Sequence, residues 1–463
     1  MIKNYEMVIG LEVHVELKTE TKIFCGCKTT FGAEPNTHCC PVCMGMPGTL
    51  PVLNEKVVEY AVKAGVATNC KIARSSKQDR KNYFYPDLPK AYQISQYDLP
   101  LCYDGHIDVE TAAGEKRIGI TRIHIEEDAG KLVHDDRYGT MIDCNRCGVP
   151  LIEIVSEPDI RSGEEAIAYL EKLRAIIMYT GVSDCRMQEG SLRCDVNLSV
   201  RKAGETEFGT RTEMKNLNSF AFIAKAIENG ETIVQETRRF DEATGKTFSM
   251  RRKENANDYR YFPDPDLPMI EITEEKLTEL TGQIPTLPDE RKRGYIERYG
   301  LDAHTAEMII NEKSVADYFE AAADVCKYPK TAANLLTGEI FRLLDPDEKK
   351  LAIRPEYLAS IADMFGDRVI NSSTAKRLVK EIWASGENPA EVVEKKNLAQ
   401  INDEDTILAA VRAVIEENPK SRADFKAGKT AASGAVVGQV MKKTGGKANP
   451  EILNRLVLEE LSR

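Results

Sequence analysis

Two close thiol pairs stand near the N-terminus, Cys25-Gly26-Cys27 and, after twelve intervening residues, Cys40-Pro41-Val42-Cys43. Four thiolates in such pairs suit a closed tetrahedral Zn²⁺ site, and Gly45 permits the tight turn that aims backbone N–H groups at sulfur. The competing reading is free thiols. His38 and Cys39 are near enough in sequence to substitute for a ligand. Cys144-x-x-Cys147 lacks a matching second pair and reads as ordinary thiols, and Cys70, Cys102, Cys185, Cys194 and Cys326 read as core residues.

A second set of chemically capable residues lies on strands. In an extended chain over Tyr5 to Leu17, Leu11, Val13, Val15 and Leu17 share one face, and Glu12, His14 and Glu16 share the other. The pattern repeats. Ile123 and Ile125 alternate with Arg122, His124 and Glu126, with Glu127 and Asp128 at the strand end. Ile152 and Ile154 oppose Leu151, Glu153, Val155 and Glu157, and Cys194, Val196, Leu198 and Val200 oppose Arg193, Asp195, Asn197 and Ser199. One such face is an ordinary solvated sheet surface; several together make a plausible Mg²⁺·nucleotide site, because Mg²⁺ takes a few carboxylates and completes its sphere with waters and phosphate oxygens.

Cations beside aromatics mark two proline-broken loops, Arg80-Lys81-Asn82-Tyr83-Phe84-Tyr85-Pro86-Asp87-Leu88-Pro89-Lys90 with Tyr92 and Tyr97 beyond, and Asp258-Tyr259-Arg260-Tyr261-Phe262-Pro263. That mixture suits phosphates plus a stacked base, or else aromatic staples holding long loops to a sheet. Gly428-Lys429-Thr430 fails as a phosphate-binding loop because Ala423 stands where the first glycine is needed and no strand precedes it. No G-x-S-x-G elbow is present.

The elements that must position these residues divide the chain. Up to about Leu287 the sequence is strand-rich, interrupted by a helix opened by the Ser162/Glu165 capping box and ended by Gly181, and by a helical stretch after Ser219 through Phe222, Ile223, Ala226 and Ile227. Beyond Asp289 the pattern is helical: Glu290 to Tyr299, Ser314 to Cys326, Thr331 to Leu344, Arg354 to Phe365 and Thr374 to Ala384. A third unit of short helices starts near Asp403, and Asn449 and Pro450 open its last helix. The expected organisation is α+β, with a sheet domain over 1–288, a helical domain over 289–402 and a small helical tail over 403–463. With 463 residues several cores are needed.

The net charge of −11 gives no support to generic nucleic-acid binding, yet from Asn418 onward nine Lys/Arg face four acids, a local basic tail suited to a phosphate backbone or simply a solvated lysine-rich surface. The N-terminal residues, with Lys3 and Glu6 and no apolar run, predict no export signal, so the expected compartment is the cytoplasm. Twelve cysteines there argue for thiols or metal ligands over disulfides.

With Asp143-x-Asn145-Arg146-x-Gly148-x-Pro150-Leu151-Ile152-Glu153-Ile154 in view, the chain resembles the GatB family, the B subunits of the tRNA-dependent aspartyl/glutamyl amidotransferases. Gly10 to Glu16, Arg80 to Asp87, Ala91 to Gln96, His124 to Gly130, Lys215 to Phe220 and Asp258 to Pro263 carry the resemblance over essentially the whole length. It implies a cradle domain similar to the glutamine synthetase fold, followed by helical and tRNA-contacting domains. It implies that ATP phosphorylates the side-chain carboxylate of misacylated Glu-tRNA(Gln) or Asp-tRNA(Asn) and that ammonia then displaces phosphate. An acyl phosphate has the leaving group a carboxylate lacks. Ammonia would come from an amidase partner, GatA, with a small third protein, GatC, clasping the pair. The resemblance places Mg²⁺ ligands on Glu12, His14, Glu127 and Glu153, where strict alternation selects Glu126, and places structural zinc on Cys25, Cys27, Cys40 and Cys43. Candidates to hold ATP are Arg80, Lys81, Tyr83, Lys90, Tyr92, Lys215, Asn216 and Arg260. The alternative is a non-catalytic, zinc-stabilised tRNA-binding scaffold.

Overall fold

A computed structural model describes residues 5–135, 137–217, 236–241, 246–252, 259–344, 351–427, 429 and 431–463. The chain forms two compact units, Met1–Pro288 and Asp289–Arg463, and is α+β. The helical stretch expected after Ser219 lies outside the described residues.

The first unit carries strands β1 (Tyr5–Glu16), β2 (Lys71–Ile72), β3 (Ser75–Ser76), β4 (Asp79–Asn82), β5 (Tyr92–Ser95), β6 (Cys102–Thr111), β7 (Gly114–Glu127), β8 (Lys131–Asp135), β9 (Gly139–Asp143), β10 (Pro150–Ser156), β11 (Leu192–Lys202), β12 (Thr212–Leu217), β13 (Glu236–Asp241), β14 (Lys246–Arg252), β15 (Phe262–Pro263) and β16 (Ile270–Glu271). Nine of them form one sheet in the order β14-β13-β12-β11-β1-β10-β7-β6-β2, antiparallel except for the β12/β13 pair. The first strand of the chain is therefore the middle strand of the sheet. It pairs with β10 on one side (His14 opposite Glu153) and β11 on the other (Glu12 opposite Asp195).

Alternation fixes the two faces. Ile9, Leu11, Val13 and Val15 are fully or almost fully buried, as are Ile152 and Ile154 on β10 and Val196 on β11. They pack on helix α1 (Glu55–Ala67), through Val58, Ala61 and Val62, and on helix α2 (Gly163–Thr180), through Tyr169, Leu170, Leu173 and Ile177. Gly65 of α1 lets that helix approach β6, since a Cβ there would meet Cys102 Sγ at 2.5 Å. Ser162 caps α2 by accepting from the Glu165 amide at 3.1 Å, and Gly181 ends the helix at φ 73°. The Glu165 carboxylate departs from the ideal box by accepting from the amide of Arg161, at 2.7 Å, one residue short of the cap.

Strand β7 needs one device that simple alternation does not contain. Ile118 and Ile120 face the core, and so do Ile123 and Ile125, which requires an irregular step between Ile120 and Arg122. The pairing shows it: Val155 faces Arg122 but the next residue, Ser156, faces Ile120. Such a bulge re-aims the following side chains, and here it sends Arg122, His124 and Glu126 to the polar face together.

In the second unit the expected helices appear as Pro288–Tyr299, Lys313–Ala323, Pro329–Leu335, Pro355–Gly366 and Ser372–Ser385, the third closing in a π-turn over Leu336–Ile340. Ile407, Val411, Val440, Leu453 and Val457 form a separate apolar cluster at the C-terminal end. Asn449 caps the last helix by accepting from the Glu451 amide at 3.0 Å, with Pro450 in its first turn. Among the described residues no helix is long and apolar enough to cross a membrane. Because Ile154 is wholly buried between sheet and helices, Ile154→Ala is expected to lower unfolding free energy by ~2–5 kcal/mol, read from the urea midpoint.

Candidate functional site

The polar face of the sheet gathers its titratable groups where β1, β10 and β7 run side by side. His14 Nε2 lies 3.3 Å from Glu153 and 3.5 Å from Glu126. His124 Nε2 sits 3.6 Å from Glu126 and 3.7 Å from Glu153 on the other side of the carboxylates. His14, Glu126 and Glu153 each bring one ligand atom within 4.8 Å of the others, a set that could hold a metal ion. Glu12, Asp195 and Glu213 form a second such set farther across the same face. Asn197 donates to Glu12 at 2.9 Å and holds that carboxylate in place.

Electrostatics tie the first set together. Burial pulls the His14 imidazole down, but the hydrogen bond and charge of Glu153, then the charge of Glu126, outweigh it, raising its pKa from 6.5 to about 9. Burial likewise pushes Glu153 up, and the charge of His124 with the hydrogen bond and charge of His14 holds it well below the usual carboxylate range. Glu126 is lowered in the same way against burial, chiefly by its hydrogen bond with His124. Two buried carboxylates therefore stay ionised with the His14 imidazolium as a counter-charge, an arrangement a divalent cation can replace by displacing its proton.

A small three-stranded sheet, β15-β4-β5, helps to wall this cleft. It brings Lys81 to the carboxylates, where burial is outweighed by the charges of Glu126, Tyr261 and Glu153 and the ammonium is stabilised. Lys81 also lies 5.1 Å from the ring centre of Tyr259, and Tyr97 stacks on Tyr261 at 4.4 Å. Lys81, Tyr97, Tyr259 and Tyr261 line the cleft with Glu12, His14 and Glu153.

Other candidate residues have partners within the fold. Arg80 pairs with Asp264 at 2.7 Å and Asp266 at 2.9 Å while stacking over Tyr92, its guanidinium carbon 4.3 Å from the ring centre. Tyr83 packs edge-on against Tyr259 at 6.1 Å. Arg260 adopts φ 46°, and its carbonyl accepts from Asn82 at 2.8 Å. Lys215 and Asn216 lie on β12, with Lys215 paired to Arg239 of β13.

Glu127 does not join His14 and Glu153. The resemblance-based placement supposed that the strand stops at Ile125, whereas β7 continues through Glu127, which pairs with Pro150. The pleat persists, so Glu126 faces the cleft and Glu127 faces away. There it forms an ion pair with Lys90 and accepts from the Ile94 amide at 2.8 Å. Lys90 follows it, lying 5.2 Å from the Tyr92 ring centre.

The sulfurs of Cys25, Cys27, Cys40 and Cys43 lie within 4.8 Å of one another in the loop between β1 and α1, a group that could bind a metal. The Cys40 amide donates to Cys43 Sγ at 3.1 Å, and Gly45 takes φ 65°, as a tight knuckle turn requires. A hydrogen bond from Cys25 brings the Cys43 thiol down to about 4 despite burial, while burial pushes Cys27 up to about 11. Lys22, wholly buried, donates to Cys43 Sγ at 3.5 Å and to the Cys144 carbonyl at 3.3 Å. Cys39 stands outside the group and donates to the Asn36 carbonyl at 3.2 Å. Lys22 carries no sequence signal of this role. Glu213 does, since the alternation of buried Thr212 and Met214 places it on the polar face.

Comparison with known proteins reaches the same part of the chain. A family model described as the GatB/GatE catalytic domain matches residues 7–278. The chain belongs to that family. A second model, the GatB domain, matches residues 317–461. The chain is 57% identical over 477 residues to the aspartyl/glutamyl-tRNA(Asn/Gln) amidotransferase B subunit of Caldicellulosiruptor saccharolyticus, covering 99% of both chains. It is 57% identical over 473 residues to that of Caldanaerobacter subterraneus, covering 99% of this chain and all of the relative. With the Carboxydothermus hydrogenoformans protein of the same name identity is 52% over 480 residues, with both chains fully covered. The GatB/GatE match spans the cleft and the cysteine loop alike.

Since the folded, metal-free imidazole is the more basic one, its protonation stabilises the fold fully below pH 6.5, and that contribution fades as pH rises through about 9. The carbon-13 resonance of His14 in labelled, metal-free protein is expected to titrate near pH 9; a midpoint at or below 6.5 contradicts the arrangement.

Proposed function

We propose that this chain is the catalytic subunit of a tRNA-dependent amidotransferase, a ligase that activates the side-chain carboxylate of misacylated Glu-tRNA(Gln) or Asp-tRNA(Asn) with ATP and converts it to the amide. The observation that carries this reading is the cluster of His14, Glu126 and Glu153 at the floor of a cleft walled by Lys81 and tyrosines. Chain-length similarity to the amidotransferase relatives supports it.

The donors fit a hard cation: two ionised carboxylates, an imidazole and a second acidic set beside them suit Mg²⁺, which would neutralise charge on nucleotide phosphates. His14, Glu126 and Glu153 would hold one ion, with Glu12, Asp195 and Glu213 within reach of the nucleotide. The tyrosines offer faces for the base or for the 3′-terminal adenosine of tRNA. Lys81 would meet a phosphate or the substrate carboxylate. In this reading Arg80 and Lys90 shape the cleft walls. The four cysteines suit structural Zn²⁺, whose thiolate ligation would lock the loop between β1 and α1.

The sheet domain would be a cradle similar to the glutamine synthetase fold, with residues 289–402 and 403–463 as helical and tRNA-contacting domains. Several tail cations are engaged within the fold, such as Lys443 with Glu417 at 2.6 Å. Lys420, Lys442 and Lys447 remain better placed to meet phosphates. No amidase motif is present, which fits an ammonia-supplying amidase, GatA, and the small GatC protein as partners in the cytoplasm.

In the assembled complex, Glu153→Gln is expected to reduce ADP release stimulated by misacylated tRNA by roughly 100-fold or more while tRNA affinity stays within about threefold. Unchanged phosphorylation with intact tRNA binding would instead describe a scaffold. Cys40→Ser is expected to lose the tightly bound metal, measured by plasma mass spectrometry on the purified complex.

A further inference from the structure

Arg122 occupies a position none of the functional assignments above uses. The bulge in β7 puts it on the polar face with His124 and Glu126, and its side chain lines the cleft beside Glu12, His14 and Glu153. Its Nε is enclosed without a hydrogen-bond partner. Among the described residues the guanidinium makes neither a hydrogen bond nor an ion pair, although acids line the same cleft. Neighbouring arginines behave differently: Arg193 holds Asp128 at 2.7 Å, Arg201 holds Glu6 at 2.6 Å, and Arg80 is claimed by two aspartates. The enclosed Nε leaves a donor unsatisfied within the fold, and an acceptor arriving in the cleft beside the partly exposed guanidinium would satisfy it.

The acceptor can be identified by shape and charge. Arginine's planar fork matches two oxygens of a phosphoryl group, and Arg122 stands on the metal-capable face, four residues along the strand from Glu126. We propose that Arg122 is a phosphoryl clamp, a catalytic residue that binds the non-bridging oxygens of the phosphoryl group while it passes from the nucleotide to the esterified carboxylate. This rests on the function proposed above. In the first step a carboxylate oxygen forms a bond to the γ-phosphorus as the bond to the β,γ-bridging oxygen breaks, and ADP leaves with that electron pair. In the second step ammonia nitrogen bonds to the acyl carbon and the carbon–oxygen bond to phosphate breaks. Phosphate departs with that pair, and the nitrogen loses one proton to solvent. The Arg122 charge offsets the phosphoryl oxygens in both.

Arg122→Lys and Arg122→Ala in the assembled complex test this, read by ADP release with misacylated tRNA, by calorimetric titration with Mg²⁺·ADP and by thermal midpoint. The Lys variant keeps the charge and loses the fork, so kcat is expected to fall ~100- to 1,000-fold, with Mg²⁺·ADP affinity within about threefold and the midpoint unchanged. Added guanidinium is expected to restore part of the Ala variant's rate, which a merely structural role would not allow. A Lys variant with kcat within threefold of wild type overturns the clamp, as does weakened Mg²⁺·ADP binding with kcat retained, which would make Arg122 a ground-state nucleotide contact. A wild-type complex that releases no ADP in response to misacylated tRNA overturns the underlying function and the clamp with it.

Discussion

Keeping Glu126 and Glu153 ionised side by side inside a protein constrains the rest of the first unit. Each loses water on burial and repels the other, so the cluster persists only with cationic or hydrogen-bonding partners packed around it. His14 must arrive from β1, His124 from β7 itself, and Lys81 from the small sheet beside the cleft. Those groups come from strands far apart in sequence, which makes registry the controlling variable. A slip of one residue between β1 and β10 would turn His14 into the core and Val13 or Val15 toward the carboxylates. The apolar face of the sheet, packed on α1 and α2, is what makes such a slip costly. Core and site are thus the two sides of the same strands.

The bulge in β7 shows how backbone irregularity serves that registry. Without it, Ile118 and Ile120 on one side of the step would leave Ile123 and Ile125 facing the cleft, and three polar side chains would be buried among hydrocarbon. With it, a 14-residue strand keeps four isoleucines in the core and still presents Arg122, His124 and Glu126 in a row.

Period-two alternation made the faces of β1, β10 and β11 readable from sequence, and with them Glu12, His14, Glu153 and Asp195. It also selected Glu126, whereas the competing choice of Glu127 assumed a strand end two residues earlier than the one observed; strand ends depend on a partner, here Pro150, that local sequence does not display. Composition could not separate the cation that faces the cleft from those paired within the fold. Arg80 and Lys90 sit in the same kind of aromatic loop as Lys81, yet Arg80 is held by Asp264, 184 residues away in sequence. Lys22 was invisible because nothing local marks a lysine for complete burial. The helix caps at Ser162 and Asn449 were legible because their partners lie within a few residues.

The central place of β1 in the sheet has a consequence for how the chain is made. The Leu11 amide donates its hydrogen bond to Ser156, 145 residues downstream, and β11 lies farther still. At ~5–20 residues per second of synthesis, the first strand waits on the order of ten seconds with both edges unpaired. The cysteine loop that follows it closes over short sequence distances and is free to fold early, whereas the acidic cleft cannot exist until β7, β10 and β11 have left the ribosome. During that interval an apolar, doubly open strand is the nascent chain's point of greatest exposure to aggregation and to chaperones.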